Sequence, residues 1–450
     1  MSKRFLTVLG ENDKVGFIQS TYKGEAVYGV TWDKTSNALV RTNASVGMVA
    51  AAGVDAGVVT NDFDTADIYK DIIDATDADG NEFRGIPKLY IRKTDTPSFK
   101  SWQISKAKMP GSYCPYDFYN FSTGTWNDYV YVGKYPAGTT LTGGTKLNSL
   151  PNEYPLINKN IVEFRTYAEA NGAGYQQLDI HVYDMLQVLF TIEFAALDSQ
   201  AIMAGWTSGT SNKLATVAEL AANRIIVANA DADVFAVGQP VGIGTSNYGN
   251  QIATYRDITS IDVYDASNKA ISFDGAAVDV AIGNIVYNLG WKSGFSSVIT
   301  ASSGSLANNT NGKNPFHYRG IENLYGNVWQ FVDGLNINAR QAWYCKDADD
   351  YASNVFASPY EKLGYVNKDA NGYLKYMGFD PANPMVELPV DVSENYYKDY
   401  YYQSTAQYIA FVGGDWSNGG SAGLWSWYLN ASSALTGVAF GGRLIKKGTI

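Results

Sequence analysis

A chain of 450 residues with 46% hydrophobic content is long enough for two or three domains with substantial cores. Only 17% of residues are charged, the net charge is -10 and no Lys/Arg cluster occurs, so the electrostatic footprint of nucleic-acid binding is missing. Tyr (33), Trp (10) and Gly (44) are plentiful, a balance nearer to β-rich extracellular or virion proteins than to cytosolic enzymes, and Cys114 and Cys345 are too few for a disulfide scaffold.

The opening MSKRFLTVLGENDK has no apolar stretch suited to a signal peptide. The most apolar run, residues 186–197, contains Glu193 and is well short of the roughly 20 residues a membrane span needs. The chain therefore reads as soluble, made in a cytoplasm and not inserted in a membrane. Residues 1–65 read as an N-terminal β module for attachment or oligomerisation, with strands at 26–32 and 46–52; a solvated linker is the competing reading. A short helix is predicted over 65–73, capped by Asp62 or Asp64, followed by strands at 88–92 and 129–134.

From Lys159 the period changes. NIVEFRTYAEANGAG places Val162, Phe164 or Arg165, and Ala168 on one helical face, with Gly172 as the stop. A second helix over 181–196 is capped by Asp179 and carries Val182, Met185, Leu186, Leu189 and Phe190 at helical spacing. Residues 207–294 then read as an inserted small β-barrel or sandwich, with strands at 225–228, 241–244, 260–264 and 270–273 and a hairpin in DASNKAISFDG. The segments GWTSGTSN and GWKSGFSS echo one another on its two sides. The remainder, 295–450, is loop-rich around a YGNVWQFVDG strand, and 66–206 with 295–450 form the two parts of one α+β domain.

Signals for chemistry are weak. His181 and His317 stand without Cys, Asp or Glu at metal-ligand spacing, and no nucleotide-binding or zinc-protease fingerprint occurs, so no metal, cofactor or enzymatic activity is expected. GxSxG around Ser421 has no following His and lacks a strand-to-helix setting. DATDADGNEF at 74–83 lacks the distal Glu of a calcium loop and reads as a solvated turn. An enzyme reading would require Asp347, Asp349 and Asp350 to converge on a pocket. Whether Cys114 and Cys345 pair stays open.

The terminal segment 411–444 differs from all of this. Gly413-Gly414 and Gly441-Gly442 bracket a stretch of Trp, Tyr, Ser, Asn and Asp with no Lys or Glu, the composition of adaptable recognition surfaces. Trp425, Trp427 and Tyr428 cannot all face one side of a strand, so at least one is expected at the surface.

The set GNVW at 326–329, GG-x-W at 413–416 and GGR at 441–443, after a helix pair at 165–194, resembles the C-type lectin fold in its formylglycine-generating-enzyme-like form. It is most similar to the ligand-binding domain of phage tropism determinants diversified by retroelements. The resemblance covers roughly residues 83–206 and 295–450. It implies a C-type-lectin-like domain with a β-rich N-terminal module and an inserted small β-barrel or sandwich domain. It also implies a virion location, as a tail or capsid fibre, with a bacterial surface receptor (protein or glycan) and other virion proteins as partners; a homotrimer is expected because multivalency multiplies weak single-site contacts.

By the same resemblance, a variable region would display Asp415, Ser417, Ser421, Ser426, Trp427, Tyr428, Ala431, Ala434, Thr436 and Val438. The frame would be Gly413, Gly414, Trp416, Leu424, Gly441, Gly442 and Arg443, buried, with Asp415, Ser417, Ser426, Trp427 and Tyr428 pointing outward together. Neither cysteine sits in the context of the catalytic pair found in the enzyme branch of that fold. A purely structural decoration or head-fibre protein, and an enzyme of the same fold, remain as alternatives.

Overall fold

The computed structural model describes residues 21–209, 212–246, 249–307, 315–367 and 370–450, together with the backbone of a ribbon pairing Phe5–Leu9 with Lys14–Ile18. The chain is β-rich with curled sheets, 43% strand and 12% helix. Among the described residues, no helix is long and apolar enough to cross a membrane.

Two helices organise the strands. Helix α1 (Ile161–Glu169) begins at a reciprocal capping box, in which Asn160 accepts from the Glu163 backbone and Glu163 accepts from that of Asn160. It buries Ile161, Phe164 and Ala168, whereas Val162, expected on that face, is 47% exposed. Residues 161, 164 and 168 share one side of a 3.6-residue turn, and position 162 lies about 100° round from it. Helix α2 (Ile180–Phe194) starts at Asp179, whose carboxylate accepts from the Val182 N–H at 3.0 Å. All fifteen of its residues are buried, as a helix apolar on nearly every side must be.

The core around α2 is shared by sequence-distant strands. Trp32, Trp102 and Ile104 pack into the same cluster as Leu186, Phe190, Tyr401, Trp425 and Trp427. The polar side chains of α2 are buried with it, and Glu193 takes a fork from Arg319 at 2.6 and 3.0 Å and a bond from the Asn61 amide at 2.8 Å. Arg41 covers the adjacent carbonyls of Ile192 and Glu193 at 2.6 and 2.5 Å.

These contacts correct the expected boundary at residue 65. Strand Glu25–Asp33 lies between Ala38–Asn43 and Phe99–Ser105, and Tyr90–Asp95 pairs with the latter. From residue 21 the chain is therefore hydrogen-bonded into the main body; residues 1–4, 10–13, 19 and 20 of the expected module lie outside the described residues. No strand forms at 46–52 beyond a bridge from Ala50 to Asn61. The helix expected over 65–73 is replaced by a short 3-10 turn, Asp62–Thr65, capped by Asn61, followed by irregular turns. Asp64 is drawn instead to Arg319 at 2.7 Å.

Six of the strands between residues 213 and 288 close into a barrel with its own core of Ile225, Val227, Val241, Ile243, Ile271 and Phe273 among others, and Glu219–Ala222 pairs with Val278–Val280 outside it. The DASNKAISFDG hairpin joins Gly249–Val263 to Asn268–Phe273, with Asp265 accepting from the Ser267 and Asn268 backbones in its turn. The barrel meets the body through Tyr255, which stacks on Tyr154 at 4.3 Å and donates to the Pro155 carbonyl at 2.6 Å. The two flanking echoes have a spatial meaning: Trp206 and Trp291, one from each, pack together with Trp416 of the terminal segment.

The chain closes on itself at its C-terminus. Strand Leu444–Lys447 inserts between Tyr129–Gly133 and Tyr175–Gln177, in a sheet that continues to Glu82–Pro87 and Ile73–Thr76. In an eight-stranded sheet, strand Trp329–Asn338 pairs with Gln407–Gly413 and with Phe440–Gly441; the strand expected over YGNVWQFVDG begins only at Trp329, because Gly326 and Asn327, at φ +69° and +63°, turn the chain before it. Cys114 and Cys345 are both free and buried.

Candidate functional site: a tyrosine face on the terminal sheet

Strand Gly423–Ala431 is flanked by Gln407–Gly413, antiparallel, and Tyr400–Gln403, parallel, with Tyr401 opposite Trp427 and Tyr402 opposite Tyr428. Alternation assigns the side chains to two faces. Trp425, Trp427, Leu429 and Tyr401 face α2, where Trp427 meets Tyr183 edge-on at 6.2 Å and Trp425 meets Phe190 at 5.8 Å. Tyr183 and Gln187 of α2 also donate to the Leu424 carbonyl, each at 2.8 Å. The helix is therefore bolted to this strand by both rings and hydrogen bonds.

The opposite face carries a row of half-buried tyrosines. Ring centroids run from Tyr373 to Tyr400 (5.1 Å), Tyr400 to Tyr402 (4.6 Å) and Tyr402 to Tyr428 (5.4 Å), with Trp329 beneath Tyr428 at 5.6 Å. Tyr373, at the sheet edge, is 37% exposed. Partial burial raises the phenol pKa of Tyr402 and Tyr428, so both remain neutral donors at physiological pH.

A polar rim borders the row. Asp415 accepts from the Ser417 N–H at 2.7 Å and the Ser417 hydroxyl at 2.8 Å; burial pushes its carboxyl up and these two donors partly offset the shift. Ser421 sits 3.3 Å from the Tyr373 hydroxyl. The turn that presents these residues is set by Gly413 and Gly414, at φ +95° and +79°; a Cβ on Gly414 would lie 2.6 Å from that of Ala422. Its far end is fastened from the body by Gln200, which donates to the Gly419 and Ala422 carbonyls at 3.0 and 2.6 Å.

Measured against the expected display, the frame residues Gly413, Gly414, Trp416, Leu424, Gly441, Gly442 and Arg443 are all buried. Of the ten expected display positions, Ser417, Ala434 and Thr436 are exposed, and Ser421 and Tyr428 are partly so. The other five are corrected to interior positions. Trp427 and Ser426 are 0% exposed, the first under α2 and the second donating to the Tyr400 carbonyl at 3.1 Å across the parallel pair. Ala431 packs in the cluster of Trp329, Phe331 and Phe411, and Val438 against Ile157, Tyr287, Leu289 and Val328 beside the barrel. Asp415 is nearly buried beneath Ser417. The five residues expected to point outward together do not do so.

Tyr373, Tyr400 and Tyr402 were not singled out from the sequence. The signal was present in YYYQ at 400–403, where i and i+2 tyrosines flank a buried Tyr401. Of the three acids named for an enzyme reading, Asp347 and Asp349 line a cleft near the end of α1, and Asp350 does not. His181 is buried and its Nε2 lies 3.0 Å from the Cys345 carbonyl.

No protein-family model matches the chain, and no curated protein matches it.

Proposed function

We propose that this chain is a phage virion fibre protein that attaches to a bacterial surface ligand through a C-type-lectin-like domain in its main body, formed by residues 21–206 and 295–450. The observation that carries this reading is the row Tyr373, Tyr400, Tyr402 and Tyr428, open on one side and rimmed by Ser417 and Ser421, with Asp415 holding Ser417 from beneath. Rigid rings with two rotatable bonds supply contact area at low entropic cost, and the small polar residues supply adaptable hydrogen bonds. The function is binding without chemistry. The lectin-like assignment rests on the element order and on the burial of the GNVW turn-and-strand start and of the GGR bracket. The inserted barrel and the N-terminal ribbon serve attachment to other virion proteins, and a homotrimer multiplies a weak single-site affinity.

The test uses the outer tyrosines, because Trp427 is a core residue whose loss reports on folding. Tyr373→Ala with Tyr400→Ala is expected to lower adsorption of the purified protein to host cells by at least about tenfold while leaving the thermal midpoint nearly in place, since exposed anchors of this type contribute about 1–2 kcal/mol each. Unchanged adsorption by a folded double variant refutes the receptor-binding role of this face. If the same variant instead blocks incorporation into particles, the structural head-fibre reading replaces it.

A further inference from the structure

A second site is built at the C-terminal end of α1. A cleft of about 420 Å³ opens between the C-terminal end of this helix, the turn at 347–350 and the hairpin of Tyr119–Asn120 with Thr125–Trp126. It shares no residue with the tyrosine face. Two observations about its lining are independent of one another.

The first is electrostatic. The lining contains two cations, and both are already engaged with buried carboxylates: Arg165 forks onto Asp333 at 2.8 and 2.9 Å, and Lys447 meets Asp117 at 3.2 Å. Glu169, Asp347 and Asp349 also line the cleft, and among the described residues none of them has a cationic partner within 4.0 Å. Burial pushes the Glu169 and Asp347 carboxyls up; the Arg165 charge opposes this at Glu169, and the Asp349 N–H bond and the Lys447 charge oppose it at Asp347, without reversing either shift. With Arg165 and Lys447 each held by a carboxylate of its own, Glu169, Asp347 and Asp349 leave the cavity a surplus of negative charge. The cavity, at about 420 Å³, has room for an organic cation beside these acids.

The second observation is an amide. Gln177 lines the same cleft, is 1% exposed, and among the described residues neither its oxygen nor its nitrogen has a hydrogen-bond partner. Leaving both atoms of a buried amide unpaired costs roughly 1–3 kcal/mol for each group, so a partner that both donates and accepts is called for. An ammonium ion alone only donates. Vicinal hydroxyls do both.

The hairpin adds apolar surface. Tyr119 and Phe121 meet edge-on at 4.9 Å beside the opening, and Tyr175 contributes a further ring to the lining. Aromatic faces suit both a cation and the C–H face of a pyranose ring.

We propose that this cleft binds an amino sugar, its ammonium group among Glu169, Asp347 and Asp349, its hydroxyls on the Gln177 amide and its ring against the Tyr119–Phe121–Tyr175 side. Charge and hydroxyls are both required, which separates this ligand from a neutral hexose and from a simple amine. The experiment titrates the full chain with D-glucosamine, N-acetyl-D-glucosamine, D-glucose and ethanolamine, followed by calorimetry and by ligand-observed NMR. D-glucosamine is expected to bind saturably, with each of the other three at least about tenfold weaker, a difference of about 1.4 kcal/mol. Asp347→Asn with Asp349→Asn, two surface-accessible changes, and separately Gln177→Met, are each expected to weaken D-glucosamine by a similar factor; thermal midpoints identify any variant that fails to fold.

Absence of saturable D-glucosamine binding by the wild-type chain overturns the proposal. So does equal affinity for the N-acetylated sugar, which removes the charge requirement, or for ethanolamine, which removes the sugar. Undiminished binding by the folded Asp347/Asp349 variant overturns it as well.

Discussion

Arg443→Ala is expected to lower unfolding stability by about 3–5 kcal/mol, the range found when one member of a buried charged network is removed. Arg443 is 0% exposed, and its guanidinium touches no carboxylate. It is solvated by protein: Nε donates to the Gln330 side chain at 2.9 Å, and the two terminal nitrogens to the carbonyls of Gly133, Lys134, Glu322 and Asn323 at 2.6–3.3 Å. Burial pulls its pKa down to about 9, against the opposing field of Glu322, so it stays charged at neutral pH.

Truncation to Ala would orphan four buried carbonyls and an amide oxygen and leave a cavity. It would also free the final strand, because the residue sits directly before Leu444–Lys447. Arg443→Lys should recover only part of the loss, since one ammonium with three donors cannot span five acceptors held in a planar fork. Urea titration of the three proteins measures both differences; a change below about 1 kcal/mol for the alanine variant would show that this bracket does not hold the fold.

Glu387→Gln is expected to have a comparably large effect, and one that depends on pH. Four charged side chains meet in the interior between α2 and strand Asn383–Asp391. Lys93 reaches Asp184 at 2.6 and 2.7 Å and Glu387 at 3.2 Å; Lys100 pairs with Glu387 and donates to the Met377 carbonyl at 2.7 Å; and the Trp102 indole donates to Glu387 at 2.7 Å. Burial alone would raise the Glu387 carboxyl, but Lys100 and Lys93 outweigh it and hold it down at about 2.

A carboxyl with a depressed folded-state pKa binds its proton more readily when unfolded. Its contribution is therefore present above the unfolded value, near 4.3, and is lost as pH falls towards the folded one. The gap corresponds to roughly 3 kcal/mol. Wild-type stability should thus drop between about pH 4.5 and 2, whereas Glu387→Gln should be less stable at pH 7 and show a flatter profile across that window. Chemical denaturation at several pH values distinguishes the two; parallel profiles would place the acid sensitivity elsewhere.

The parts of the fold that could be read from the sequence are those set by local chemistry. Asn160 with Glu163, and Asp179 before an apolar run, mark helix starts because a side chain there supplies the missing hydrogen bond of the first turn. The strands of the barrel follow β-branched runs between Asn, Asp and Gly turns for the same kind of reason. The 65–73 segment failed because Asn61 caps a tighter turn one step earlier, and Asp64 bonds across the fold to Arg319. The N-terminal boundary failed because only pairing with residues 90–105 tells strand Glu25–Asp33 apart from a separate module.

The terminal segment shows the division most plainly. Its sequence determined a glycine-set frame, with turn conformations at Gly413 and Gly414 that a Cβ would obstruct, and a strand whose alternation separates Trp425 and Trp427 from Tyr428. Which of those two faces meets water is not a local property. That was decided by the arrival of α2, 230 or so residues earlier in the chain, whose Tyr183, Gln187 and Phe190 cover the tryptophans and leave the tyrosines open. The binding face therefore comes from burial energetics across the whole core, with Tyr373, Tyr400 and Tyr402 joining Tyr428 only through strand pairing.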